Sequence, residues 1–193
     1  MKSIQVKIIS LFSILMVVVL AISGITNYFF VNKTITEDFK QTSQNTIDMV
    51  SSTIDTYFND VEEVLNTLSE DQVLTSPITD AISEKNLMNK LASYHNNYKN
   101  FAMVYLGTAD GSMILSQKIE LPKDFDPRIR PWYQEAIESD AIIWTDAYLD
   151  ASSGDTVISA AKAIKANGRL IGVVGVDINL NMLSSFVNSA SLG

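Results

Sequence analysis

Twenty-four consecutive residues, Ile8 to Val31, carry no charged side chain, and nothing else in this 193-residue chain constrains its fold as strongly. About 20 apolar residues carry a helix across the hydrocarbon of a bilayer. Only a segment that satisfies its own backbone hydrogen bonds can sit there. The apolar centre runs through Ile8-Ile9, Leu11-Phe12 and Ile14 to Ile22. Lys2 and Lys7 precede it, which by the positive-inside rule puts residues 1–7 in the cytoplasm. Tyr28, Phe29 and Phe30 stand at the far end, where interfacial aromatics belong. Residues 8–31 are therefore expected to form a transmembrane helix, with everything from about Asn32 outside. The competing reading is a cleaved signal peptide, with Ala21-Ile22-Ser23 as the cleavage site. The apolar run exceeds the ~7–15 residues of a signal h-region and continues past that site, which favours an anchor.

The remainder is long enough for one domain of ordinary size. Cysteine is absent, so disulfides, thiolate metal sites and thiol nucleophiles are excluded. His95 is the single histidine, which excludes a multi-histidine metal site. Net charge is -8, and because Lys2 and Lys7 lie before the apolar run and every acidic residue after it, the exposed part is more acidic still. Such a surface repels phosphate backbones, so no nucleic-acid partner is expected.

Residues 33–70 read as one long helix. Ile47, Val50, Ile54, Tyr57, Val61, Val64 and Leu68 follow each other in alternating steps of three and four, a sustained heptad seam without Gly or Pro. Such a seam packs on the chain's own core or pairs with a second copy in a homodimer, and both remain open. A break follows at Thr75-Ser76-Pro77, where Pro77 is placed to open a short helix. Leu87 to Tyr98 reads as another helix.

The periodicity then changes. Phe101–Leu106 and Met113–Leu115 read as strands joined at Asp110-Gly111. A polar loop covers Lys118 to Arg130, and Pro131 suits the first position of a helix through about Ser139. Ile142–Thr145, Ala147–Ala151, Thr156–Ile164 and Leu170–Ile178 read as extended. Asn167-Gly168 is the strongest hairpin signal, and Asn181 is placed to cap a last helix through Val187. The expectation is an α+β fold: an N-terminal transmembrane helix continuing into a long helix over residues 32–75, then, over residues 76–193, an antiparallel sheet of about five strands flanked by helices.

Enzymatic readings fail for specific reasons. No Gly-x-Gly-x-x-Gly or P-loop pattern is present, so no phosphate cradle or nucleotide cofactor is expected. No Gly-x-Ser-x-Gly elbow exists. His95 lies in the polar run His95-Asn96-Asn97 and has no evident orienting partner for a triad.

One stretch stands out: Asp126-Pro127-Arg128-Ile129-Arg130-Pro131-Trp132-Tyr133. It puts two guanidiniums, an indole and a phenol where a loop enters a helix. Arg suits bidentate carboxylate recognition, the aromatics add donors and apolar walls, and a helix N-terminus favours anions. The competing reading is a structural loop in which an Arg pairs with Asp124 or Asp126 and Trp132 belongs to the core.

This stretch, with Trp144-Thr145-Asp146-Ala147-Tyr148-Leu149-Asp150 and Gly172-Val173-Val174-Gly175-Val176-Asp177, resembles the double Cache domain of bacterial methyl-accepting chemotaxis receptors. The similarity covers roughly residues 1–190. It implies a PAS-like Cache module and an extracytoplasmic, ligand-sensing role in transmembrane signalling. A subgroup that binds free amino acids is the most similar. Its motif maps onto Arg130, Trp132, Tyr133, Tyr148, Asp150 and Asp177. The resemblance implies that Arg130 and Trp132 hold a ligand carboxylate, that Asp177 holds an ammonium, and that tyrosines complete a polar ring. No cofactor is implied.

The sequence departs from that pattern in two places. The subgroup has Tyr five residues before the Arg, where this chain has Phe125, so one hydrogen bond worth about 0.5–1.5 kcal/mol is lost. The family also has a second, membrane-proximal module, a second membrane helix and a cytoplasmic signalling region, whereas this chain stops at Leu192-Gly193. A fragment and a natural truncation fit equally. Met103, Tyr105 and Leu115 are candidates for lining a side-chain pocket or for the core. Besides a chemoreceptor sensor, the same module serves as the input domain of membrane histidine kinases or diguanylate cyclases, and a ligand-free dimerisation module is the third reading.

Overall fold

The structure is a computed structural model, described over residues 2–76, 81–98 and 100–191. Pro77, expected to open a helix, lies outside the described residues. The chain divides into two compact units, Met1–Met49 and Val50–Gly193. The first helix, α1 (Lys2–Glu70), contributes residues to both.

The first unit is helical throughout its described length. Its large apolar side chains, from Ile8 to Val31, are exposed. A helix that is apolar all round buries itself only in another apolar medium, and this one is long and apolar enough to cross a membrane. Its polar side chains turn back onto the helix: Ser10 Oγ donates to the Lys7 carbonyl at 2.9 Å and Thr26 Oγ1 to the Ile22 carbonyl at 3.0 Å. Ile47, at the start of the heptad seam, is 61% exposed.

In the second unit, α1 is followed by a short turn, α2 (Gln72–Thr75), capped by Asp71, whose Oδ1 accepts from the Val73 amide at 2.8 Å. Next come α3 (Ala81–Asn97) and strands β1 (Met103–Thr108) and β2 (Met113–Leu115). A 3-10 turn (Pro127–Ile129) leads into α4 (Pro131–Ile137). Strands β3 (Ile143–Trp144), β4 (Tyr148–Leu149), β5 (Thr156–Ala166) and β6 (Arg169–Asn179) precede α5 (Leu180–Ser191).

All pairings are antiparallel, in the order β2-β1-β6-β5-β3, with β4 on β5. The α+β expectation holds, with six strands where about five were read. The Asn167-Gly168 turn forms as its sequence demands: both residues have positive φ, 52° and 77°, which lets β5 and β6 fold back directly on each other. The first strand starts two residues later than read. Phe101 is instead buried beside the turn after α3, stacked on Tyr98 with ring centroids 4.8 Å apart. Asn179, not Asn181, caps α5: its Oδ1 accepts from the Asn181 amide at 2.9 Å.

Alternation along the strands sends two sets of side chains to two faces. On one face Val104, Leu106, Val174, Val176, Ile178 and Ile164 pack with Tyr57, Val61, Val64, Leu65 and Leu68 of α1 and with Leu87 and Leu91 of α3. The C-terminal part of the heptad seam thus serves the chain's own core. On the other face Tyr105, Ala161 and Val173 pack under Trp132, Tyr133 and Ala136 of α4. Because both faces are covered, β6 is buried over most of its length, which is why it reads as a nearly unbroken apolar run.

Candidate ligand-binding site

The two arginines of the loop have different fates. Asp126 caps the 3-10 turn, accepting from the Arg128 amide at 2.9 Å, and pairs with the Arg128 guanidinium at 2.7 Å on the exposed side. Arg128 is therefore the structural arginine. Arg130 immediately precedes Pro131, which disfavours helical backbone at the preceding residue, and it is extended (φ -83°, ψ 147°). It occupies the N-cap position of α4 but makes no side-chain cap. Its guanidinium lies over the rings of Phe125 and Tyr148, 5.9 and 5.7 Å from their centroids. Among the described residues it has no ion pair and no hydrogen-bonding partner.

Trp132, two residues on, is 2% exposed. It seats on β1 at Gly107, where a Cβ would come within 2.7 Å of the indole ring. A glycine there is what allows α4 to approach the sheet. The Tyr105 and Trp132 rings are 4.8 Å apart and tilted.

Asp177, near the end of β6, is 6% exposed. The Tyr105 hydroxyl donates to it at 2.7 Å and the Ser159 hydroxyl at 2.5 Å. Ser159 Oγ also shares a 2.7 Å hydrogen bond with the Tyr148 hydroxyl. Burial pushes the Asp177 carboxyl up to about 7; the Ser159 and Tyr105 hydrogen bonds and the Arg130 charge oppose that rise, and the Asp150 charge adds to it. Burial likewise raises both Tyr105 and Tyr148, so both phenols stay protonated and available as donors. A carboxylate so desolvated lacks a full counter-charge, which a ligand cation would supply.

Asp150 follows β4 and organises the next turn. Its Oδ1 accepts from the Ser152 and Ser153 amides at 3.1 and 2.8 Å and from both serine hydroxyls. Burial acts to raise its carboxyl, but these hydrogen bonds outweigh it and hold the group below the ordinary carboxylate value.

Arg130, Trp132, Tyr148, Asp150 and Asp177 line one cavity of about 220 Å³, together with Met103, Tyr105 and Leu115. Tyr133 does not line it: its ring lies in the core beneath α4 and its hydroxyl donates to the Thr108 carbonyl at 3.4 Å. Ser159 was not singled out from sequence, although it is fully buried at the centre of the polar network. Its signal is a hydroxyl in the middle of the largely apolar strand Val157–Ile164. Met113, Ile119, Leu121 and Met182 also line the cavity and were missed. They sit in three separate segments that only the fold brings together.

Residues 72–185 match the family of the methyl-accepting chemotaxis protein-like first PDC sensor domain. The chain belongs to that family. The chain is 30% identical to methyl-accepting chemotaxis protein McpC of Bacillus subtilis over 97% of its own length, and it spans 29% of the length of McpC. Among solved structures it is similar to the sensory domain of the Campylobacter jejuni chemoreceptor Tlp3 with isoleucine bound. There the TM-score is 0.63 and the identity 34%, with 77% of this chain and 64% of that one covered. It is also similar to the ligand-binding domain of the Pseudomonas fluorescens chemoreceptor CtaA in complex with L-serine, with a TM-score of 0.58 and 30% identity, covering 70% and 57% of the two chains.

Proposed function

We propose that this PDC sensor domain is the extracytoplasmic sensing region of a membrane-anchored chemotaxis receptor and that its cavity binds a free amino acid. One observation carries the proposal: the unpartnered Arg130 guanidinium and the buried Asp177 carboxylate line the same cavity. A zwitterion needs a fixed cation and a fixed anion a few ångströms apart, both partly desolvated. Arg130 takes the ligand carboxylate as a fork, beside the Trp132 indole. Asp177 takes the ammonium, with Tyr105, Tyr148 and Asp150 around it, and Tyr133 holds α4 against the sheet from behind. The relatives support this reading, since Tlp3 and CtaA were solved with isoleucine and L-serine.

We read the cavity as a binding site: its serine hydroxyls and the Tyr105 phenol are engaged in holding Asp177 and Asp150, which leaves Arg130 to meet a ligand. In the full receptor we read residues 1–7 as cytoplasmic, 8–31 as the membrane crossing, 32–75 as the long helix (to Glu70) with the short α2 after it, which carries the signal, and 76–193 as the sensing module. A ligand that binds one arrangement of that helix more tightly than another would shift the population between them. The exposed start of the heptad seam around Ile47 would pair with a second copy.

Thermal unfolding of the full chain in detergent against the twenty common amino acids tests the proposal. A ligand at a hundredfold excess over its Kd adds about 2.7 kcal/mol, and the melting temperature rises accordingly. A chain that melts cooperatively but shifts with none of them does not bind amino acids.

A further inference from the structure

The cavity is polar on one side and apolar on the other, and the register of the sheet shows why. Met103 pairs with Asp177 across β1–β6, and Ser159 pairs with Asp177 across β5–β6. Directly opposed residues of antiparallel strands share a face, so Met103, Asp177 and Ser159 form one row across the sheet. Toward β5 and β4 this row meets hydroxyls and carboxylates: Ser159, Tyr148 and Asp150. Toward β1 and β2 it meets Met103, Met113 and Leu115, and the segment after β2 adds Ile119, Leu121 and Phe125.

On the footing that the cavity holds a free amino acid, we infer that the ligand's side chain is aliphatic and uncharged, and that it lies against the β1–β2 edge. None of those six residues offers a hydrogen-bonding group stronger than a thioether, so a polar ligand tip buried there would lose its water without replacement. Arg130 is the one cationic residue of the lining, against Asp150, Asp155 and Asp177. A second ligand carboxylate would meet carboxylates and no further cation. A second ammonium would find its open acceptors, Asp150 Oδ2 and Asp155 Oδ1, away from the β1–β2 edge, since Asp150 Oδ1 holds Ser152 and Ser153 and Asp155 Oδ2 holds Asn179 at 2.9 Å. Both of those lie on the polar side.

Size narrows the class further. A cavity of about 220 Å³ lies below the roughly 300–1,000 Å³ of pockets for drug-sized ligands, so it suits a small molecule. That is the scale of valine, leucine or methionine. Met103, Met113 and Met182 make the wall adaptable, because an unbranched thioether side chain repacks around different shapes. Discrimination among aliphatic ligands is therefore shallow, at the low end of the 10–200-fold that a methylene commands in a fitted pocket (about tenfold).

Calorimetric titration of the full chain in detergent with L-leucine, L-valine, L-methionine, L-alanine, L-aspartate and L-lysine tests this. The three aliphatic ligands are expected within about tenfold of one another, and at least about tenfold tighter than alanine, aspartate or lysine. Leu115→Ala is expected to weaken leucine about tenfold while leaving alanine within about twofold; Met113→Ala is the second variant. Aspartate or lysine binding more tightly than leucine overturns the side-chain assignment and leaves the amino-acid reading standing. So does a variant that folds and weakens every ligand equally. If the wild-type chain is folded and binds no amino acid, both fall together.

Discussion

The Tyr105 phenol donates to the Asp177 carboxylate at 2.7 Å, joining β1 to β6 across the floor of the cavity. The bond holds the one buried carboxylate of the site in place and opposes the rise that burial imposes on its pKa. A hydrogen bond to a charged group contributes about 1.5–3 kcal/mol. Tyr105→Phe is therefore expected to weaken ligand binding on the order of 10–100-fold. Ser159→Ala, which removes the second donor, should act in the same direction. Tyr133→Phe loses only a long bond to the Thr108 carbonyl outside the cavity and should change Kd less than about threefold. Calorimetric Kd values for the three variants separate the groups that hold Asp177 from the tyrosine behind them.

Protonation of Asp177 gives a pH dependence of definite sign. Its folded-state pKa is raised from 3.8 to about 7. The stabilising contribution of the protonated form is fully present below 3.8 and is lost as pH rises through about 7. The ligand-free protein should thus be less stable at pH 8 than at pH 5 on account of this group, by on the order of a few kcal/mol. A ligand ammonium needs the ionised form, so ligand affinity should rise from pH 5 to pH 8 with release of a proton. Asp177→Asn should flatten the stability profile, and titration in buffers of different ionisation enthalpy counts the proton. Equal affinity at pH 5 and pH 8 in the wild type would contradict the assigned role.

Gly175 faces the Tyr105 ring, and a Cβ there would come within 2.5 Å of it. The ring cannot retreat, because Trp132 packs against it. Gly175→Ala is expected to destabilise the protein by about 1–3 kcal/mol through overpacking and to displace the Tyr105 hydroxyl from Asp177. Denaturant unfolding and ligand titration on the same sample should show both losses together. Stability lost with affinity retained would mean that Tyr105 is dispensable for the ligand.

Much of the architecture was legible because it is written in local chemistry. The charge-free run, the Asn167-Gly168 turn and Pro131 at the head of α4 each demand one local conformation, and each appears as read. The boundaries that slipped did so where tertiary packing decides. Phe101 has strand character but stacks on Tyr98, and Asn179 outcompetes Asn181 as a cap because it ends β6 directly before the helix. Around the cavity, Arg130 and Trp132 stand out in sequence as a guanidinium and an indole where a loop enters a helix, whereas Tyr148, Asp150 and Asp177, on or beside strands, are named only through the family resemblance, and Tyr133 falls outside the cavity. Ser159, Met113 and Met182 could not be named from sequence. Each is an ordinary strand or helix residue until register places it beside Asp177 or across the cavity.

The central claim is that Arg130 is free to grip a ligand carboxylate while its neighbour Arg128 is committed to Asp126. Calorimetric titration of an amino-acid ligand into the wild type, Arg130→Ala and Arg128→Ala, each as the full chain in detergent, tests it most directly. Arg128 is exposed and its pair contributes little, so Arg128→Ala should leave Kd within about threefold. Removal of a charged, bidentate contact costs about 2–5 kcal/mol, so Arg130→Ala should weaken binding by at least about thirtyfold while the protein stays folded. Undiminished binding by a folded Arg130→Ala, or equal losses in the two variants, would contradict the account.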